Sequence, residues 1–256
     1  MPTTETDTER LWSKVPEVTL WFWVIKILAT TVGETGGDAL SMSLNLGYLV
    51  STFIFLGFFA ITLTAQVLSN RYRPAFYWAV VVATTTVGTT LSDYLDRTVG
   101  LGYPKSSALL LSGVIVVLIA WRLTMGAIRV DDITSRKDEV FYWLTILVSN
   151  TLGTALGDYT ADDLGLGFSG GALVFAGLIA VVAAAYRFTS APKAILFWVA
   201  YVLTRPLGAT VGDTLTKPRA EGGLNLSRIT SSLVILAAMV IVIALTSRRK
   251  QSREAQ

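Results

Sequence analysis

The stretch "FWVIKILATTVGETGGD", residues 22–38, decides the fold, because it recurs three times without a gap. Its counterparts are "YWAVVVATTTVGTTLSD" (77–93), "YWLTILVSNTLGTALGD" (142–158) and "FWVAYVLTRPLGATVGD" (197–213). Each copy opens on an aromatic residue and a tryptophan (Trp23, Trp78, Trp143, Trp198). A glycine follows ten residues later (Gly33, Gly88, Gly153, Gly208), and each copy closes on an aspartate (Asp38, Asp93, Asp158, Asp213). Repetition at a fixed period of this kind is the mark of a fold assembled from one supersecondary unit. A second apolar segment follows each copy, opening at Leu46-Gly47, Leu101-Gly102, Leu166-Gly167 and Leu226-Ser227. The aspartate-to-leucine interval is eight residues three times and thirteen in the last copy, which carries "KPRAE".

The solvent of these segments follows from composition. Of 256 residues 52% are hydrophobic and only 15% charged, and a membrane span needs about 20 mainly apolar residues. Eight segments qualify: roughly 18–38, 46–69, 74–93, 103–127, 139–158, 167–189, 193–213 and 226–247. The expected fold is an all-α integral membrane protein of eight transmembrane helices, arranged as four tandem helix-hairpin repeats of one orientation. The repeats fall at about 17–71, 72–130, 137–190 and 192–247, between a polar N-terminal segment 1–16 and a basic tail 248–256. The N-terminal segment lacks the basic start and small-residue cleavage site of a signal peptide.

Fourteen basic residues border the termini and the connections between repeats, and five (Arg97, Lys105, Lys217, Arg219, Arg228) border the other connections. By the positive-inside rule both termini of this multi-pass membrane protein are cytoplasmic. That bias accounts for the formal charge of +3, so the expected partner is the lipid bilayer and no nucleic acid is implied. Oligomeric state is open at this level. Cysteine and histidine are both absent, which excludes disulfides, thiolate or imidazole metal sites and Ser-His or Cys-His catalysis. No cofactor is implied.

This arrangement resembles a bacterial membrane-protein family built from four tandem two-helix repeats of unknown function, with a tryptophan and a Gly-x-x-x-[Gly/small]-Asp signature in each. Ser92 replaces the second signature glycine in the second repeat, and Pro206 replaces the usual threonine in the fourth. The resemblance implies the fold and the inner-membrane location, and it implies no activity.

Function is therefore sought in the polar groups of the apolar helices. Counting back from each aspartate by four and seven keeps to one helix face, which collects Glu34 and Thr31, Thr89 and Thr86, Thr154 and Thr151, and Ala209 and Pro206. At 1.5 Å per residue the aspartates lie about 22 Å beyond the tryptophans, which are read as interfacial anchors and core packing. Glycines four residues apart serve close helix approach, and the threonines can bond back to their own helices. A carboxylate at a helix centre costs about 2.5–3.5 kcal/mol on insertion scales. Acids there therefore ask for a reason, although each aspartate could simply end its helix near the outer surface. Lys26 and Arg205 interrupt the same helices, leaving five acids against two bases.

That excess of oxygen ligands without sulfur or imidazole suits a hard cation or protons. The leading expectation is a transporter or permease for a small cationic solute, a divalent metal or a proton-coupled species. Glu34, Asp38, Asp93, Asp158 and Asp213 would line the path, and Thr31, Thr86, Thr89, Thr151, Thr154, Lys26 and Arg205 would support it. The pole between repeats one and four is favoured, because Glu34, Lys26 and Arg205 lie there and because those repeats share "LNL" where the middle two have "GLG". The alternatives are a non-transporting scaffold and an intramembrane aspartyl-type hydrolase, for which "LGD" (156–158) and "VGD" (211–213) offer only a partial motif. No catalytic residue is assigned, and an enzyme is not the expectation.

Overall fold

A computed structural model describes residues 16–69, 72–126, 128, 133 and 135–254. The N-terminal segment up to residue 15 lies outside the described residues. Eight long helices account for nearly all of the described chain: α1 (Leu20–Asp38), α2 (Tyr48–Leu68), α3 (Pro74–Asp93), α4 (Tyr103–Met125), α5 (Arg136–Asp158), α6 (Gly167–Phe188), α7 (Lys193–Thr216) and α8 (Arg228–Glu254). Among the described residues there is no strand.

The helix starts follow local chemistry. Thr19 caps α1 by accepting from the Phe22 N–H, Pro74 occupies the first turn of α3, and Ser135 caps α5 by accepting from Asp138 N–H. These placements satisfy donors that a first turn leaves open, or remove one of them. Helix α4 stops at Gly126, whose φ of 78° is the left-handed C-terminal cap. Seven of the helices are long and apolar enough to cross a membrane. The eighth, α1, carries Lys26, Glu34 and Asp38 within its length.

The four first helices of the repeats, α1, α3, α5 and α7, form a closed inner ring in the order of the chain, with α7 returning to α1. Each second helix packs on the outside, against the first helix of the next repeat: α2 on α3, α4 on α5, α6 on α7, and α8 back on α1. The two helices of a single repeat scarcely touch, so each repeat is a unit of sequence whose helices pack on those of its neighbours. The packed pairs straddle repeat boundaries, and the last pair closes the ring by joining the two ends of the chain without a covalent link. The outer helices expose Phe53, Ile61, Val116, Leu173, Leu233 and Ile241, the surface expected of helices facing lipid and not water.

Glycine makes the ring tight. A methyl group added at Gly33 would collide with Thr85, at Gly88 with the backbone of Asn150, at Gly153 with the side chain of Arg205, and at Gly208 with Thr30. Residues 30, 85, 150 and 205 hold one repeat position, so each inner helix receives that residue of the next helix in its glycine notch, around the full circle. One turn further out, a methyl group at Gly37 would come within 2.9 Å of Thr89 Cβ, and one at Gly212 within 2.8 Å of Glu34 Cβ. The close-approach reading of the glycine spacing therefore holds.

After their aspartates, α1, α3 and α5 pass into one π-helical turn each, Ala39–Ser43, Tyr94–Thr98 and Tyr159–Asp163. The residue that then reverses the chain has positive φ: Asn45 (55°), Gly100 (76°), Gly165 (67°) and, in the fourth repeat, Asn225 (56°). Glycine and asparagine are the residues that adopt this conformation most readily. The difference between "LNL" and "GLG" is thus two solutions to one backbone requirement, and it marks no functional pole. In the fourth repeat the chain turns at Lys217-Pro218 and runs through a short 3₁₀ turn, Arg219–Glu221, before Asn225 N–H donates to Lys217 carbonyl at 2.9 Å.

Two of the repeat tryptophans serve as core packing. Trp78 and Trp143 are buried and belong to an aromatic cluster that fills one end of the inner ring. Phe22 packs on Trp78, Phe197 and Tyr201, Tyr77 on Trp143, and Tyr142 on Trp198. Tyr77 and Tyr142 join by their hydroxyls at 3.1 Å. The rings just before the tryptophans, contributed by all four inner helices, hold this end together.

Candidate functional site

The axis-facing positions of the inner helices repeat every four residues, so four levels stack beyond the aromatic cluster. The first holds Lys26, Val81, Ile146 and Tyr201, and the second Thr30, Thr85, Asn150 and Arg205. The third holds Glu34, Thr89, Thr154 and Ala209, and the fourth the four aspartates. Every residue of these sixteen is buried.

Arg205 spans the second and third levels. Its Nη2 donates to Glu34 Oε2 at 2.9 Å, to Thr89 Oγ1 at 2.6 Å and to Thr154 Oγ1. Thr89 in turn donates to Glu34 Oε2 at 3.1 Å. The guanidinium therefore meets the equivalent residue of each other repeat, and its own helix places alanine at that position. Ala209, four residues on from Arg205, is the small residue of this level. Thr31, Thr86 and Thr151 take no part: each donates to a carbonyl of its own helix, Ile27, Val82 and Leu147 respectively.

The aspartates are drawn into two clamps. Arg97 Nε lies 3.1 Å from Asp93 and its Nη2 3.8 Å from Asp158, while Lys217 Nζ lies 3.4 Å from both Asp213 and Asp38. Arg228 adds a contact to Asp38 at 3.5 Å. Arg97 and Lys217 each stand four residues after the aspartate of their own repeat and reach the aspartate of the next. The same position holds Met42 and Asp162 in the other two repeats, so alternate repeats supply the bridging cation. Burial works against the charged form of Lys217, but Asp213 and Asp38 outweigh it and hold its pKa well above the ordinary lysine range.

Of the five acids expected to line one path, the structure brings three together. Glu34, Asp38 and Asp213 each offer a carboxylate oxygen within 4.8 Å of the others, all buried. Asp93 and Asp158 lie at the opposite clamp. Arg97, Lys217 and Arg228, assigned from sequence to the connections, are the partners that sequence reading missed. The i,i+4 interval from Asp93 and from Asp213 was the available signal for two of them. With them the acids and bases of the ring and its axis balance in number, which removes the apparent negative excess.

The repeat described as "Repeat of Unknown Function (DUF347)" matches residues 21–72, 76–126, 141–191 and 196–252. The chain belongs to the DUF347 family. Its four matched segments are the four units found by reading the sequence, each one inner helix with the outer helix that follows. No curated protein and no solved structure matches the DUF347 chain.

Proposed function

We propose that this DUF347 protein is a multi-pass inner-membrane carrier, with both termini cytoplasmic, that moves a small hard cation or protons by way of Glu34, Asp38 and Asp213. The observation that carries the reading is the buried carboxylate trio, whose oxygens lie within 4.8 Å of one another. Hard cations take oxygen ligands at about 2.0–2.6 Å, so three oxygens at that mutual spacing suit one ion. Lys217 stands where such an ion would bridge Asp38 and Asp213, and it must give way when the ion binds. Arg205 and Lys26 stand on the axis between this site and the aromatic cluster. Two buried positive charges oppose an open cation pore, which favours a carrier that rearranges over the channel-like alternative.

The test is flux in liposomes containing the purified protein, over protons, monovalent cations and Mg²⁺, Mn²⁺ and Ca²⁺. Asp38→Asn and Asp213→Asn nearly preserve volume, and both are expected to abolish the flux of the transported ion. Glu34→Gln is a poorer choice, because it strands Arg205.

A second reading, a non-transporting scaffold, is favoured by one observation: each of the five acids has a base at 3.8 Å or closer. Under it no cation in the panel crosses, and the aspartate variants lose only stability. An aspartyl hydrolase would need two carboxylates sharing a proton, and Lys217 contacts both Asp38 and Asp213 while Arg97 contacts both Asp93 and Asp158.

A further inference from the structure

Lys26 and Arg205 are fully buried, and the four aspartates at the far end of the ring meet three other bases, Arg97, Lys217 and Arg228. Lys26 Nζ and both Nε and Nη1 of Arg205 have no hydrogen-bond partner. All three bonds of Arg205 leave from Nη2. The two residues occupy consecutive levels of adjoining helices, about one 5.4 Å turn apart. Glu34 is the only acid on these inner levels, and it is engaged by Arg205 and Thr89.

The neighbours supply no second counter-charge. Val81 and Ile146 share the level of Lys26, and Tyr201 offers it a ring face at 4.2 Å. Thr30 and Thr85 spend their hydroxyl protons on the carbonyls of Thr204 and Ala29, and Asn150 donates its amide to Thr84. Two cations against one carboxylate leave one positive charge in a desolvated interior, where an unpaired ion is strongly disfavoured. Three cationic donors on these levels are without hydrogen-bond partners.

We propose that Lys26 and Arg205 bind one small monovalent anion of the chloride class on the axis of the inner ring. The anion accepts from the Lys26 ammonium and from the free edge of the Arg205 guanidinium, and it neutralises the inner levels. Monovalency follows from the single excess charge, and small size from the one-turn spacing and the tight glycine-lined ring. The site is distinct from the carboxylate trio and does not depend on transport.

The experiment uses the full chain purified in detergent. Thermal unfolding is followed in sodium chloride and in sodium gluconate at equal sodium concentration, and ³⁵Cl line broadening is measured with bromide as competitor. Chloride is expected to raise the melting temperature saturably, by about 5 °C once it exceeds its Kd about a hundredfold. Bromide is expected to reverse the line broadening. Lys26→Met, which removes no hydrogen bond, should abolish both effects. Equal melting in the two salts would overturn the proposal in favour of a Lys26 that sheds its proton. An unchanged chloride effect in Lys26→Met would overturn it in favour of a general salt effect. The line-broadening competition needs no variant, so its absence in the unaltered protein would overturn the proposal on its own.

Discussion

Arg97 and Lys217 hold the same position in alternate repeats, and each bridges the aspartate four residues before it to the aspartate of the following repeat. A ring of four similar helices thereby becomes a ring with two unlike poles. The Arg97 side chain is 32% exposed and that of Lys217 only 5%, so water screens the first clamp more than the second. Glu34 lies beside the second.

Lys217→Gln is therefore expected to destabilise more than Arg97→Gln. The pH dependence has a definite sign. The folded-state pKa of Lys217 is raised, so its stabilisation is complete below the ordinary lysine value of about 10.4 and fades as pH rises through the folded value. The stability gap between the unaltered protein and Lys217→Gln should be constant from neutral pH to about 10 and narrow above it. Unfolding in detergent across that range measures it, and a gap widening with pH would contradict the pairing.

Arg205→Met is expected to cost about 3–5 kcal/mol, because it leaves Glu34 buried without its cation. Arg205→Met combined with Glu34→Gln should recover part of that loss. A double variant no more stable than the single one would show that the shape of the arginine, and not the pair, is what the core requires.

Gly208→Ala and Gly33→Ala should each destabilise by about 1–3 kcal/mol, since a methyl group there meets a threonine of the neighbouring inner helix. Gly57→Ala and Gly177→Ala, on outer helices with nothing within 4 Å, should be neutral or slightly stabilising. Melting temperatures of the four variants in one detergent test the contrast.

Asn45→Gly and Asn225→Gly should leave stability almost unchanged, whereas Asn45→Val should cost roughly 1–2 kcal/mol through the left-handed backbone at that turn. Equal tolerance of valine and glycine would place the turn in another conformation.

Much of the fold was legible in the chain. The gapless recurrence of residues 22–38 fixed the number and order of units, and apolar length fixed the helices to within a few residues of their ends, except that the last runs seven residues further, to Glu254. Glu34 and Arg205 could be marked as anomalies, because a charge inside an apolar helix is visible one residue at a time. Their pairing was less visible, since it joins α1 to α7 across 171 positions. The aromatic rings show the same limit: an aromatic-Trp pair reads as interfacial anchor and core packing together, and ring closure decides that Trp78 and Trp143 are core.

By itself the sequence determined eight helices, four units and the residues whose burial would be costly, because hydrophobic length and repetition are local properties of the chain. Only the tertiary structure decided which helices touch and which charges meet. Short connections bind α2 to α3 and α6 to α7, α8 packs on α1 without any, and glycine notches let the inner helices close into a ring. That closure sets Lys217 between Asp213 and Asp38, at opposite ends of the chain. A charge buried there keeps its low energy only through partners that close packing brings to it.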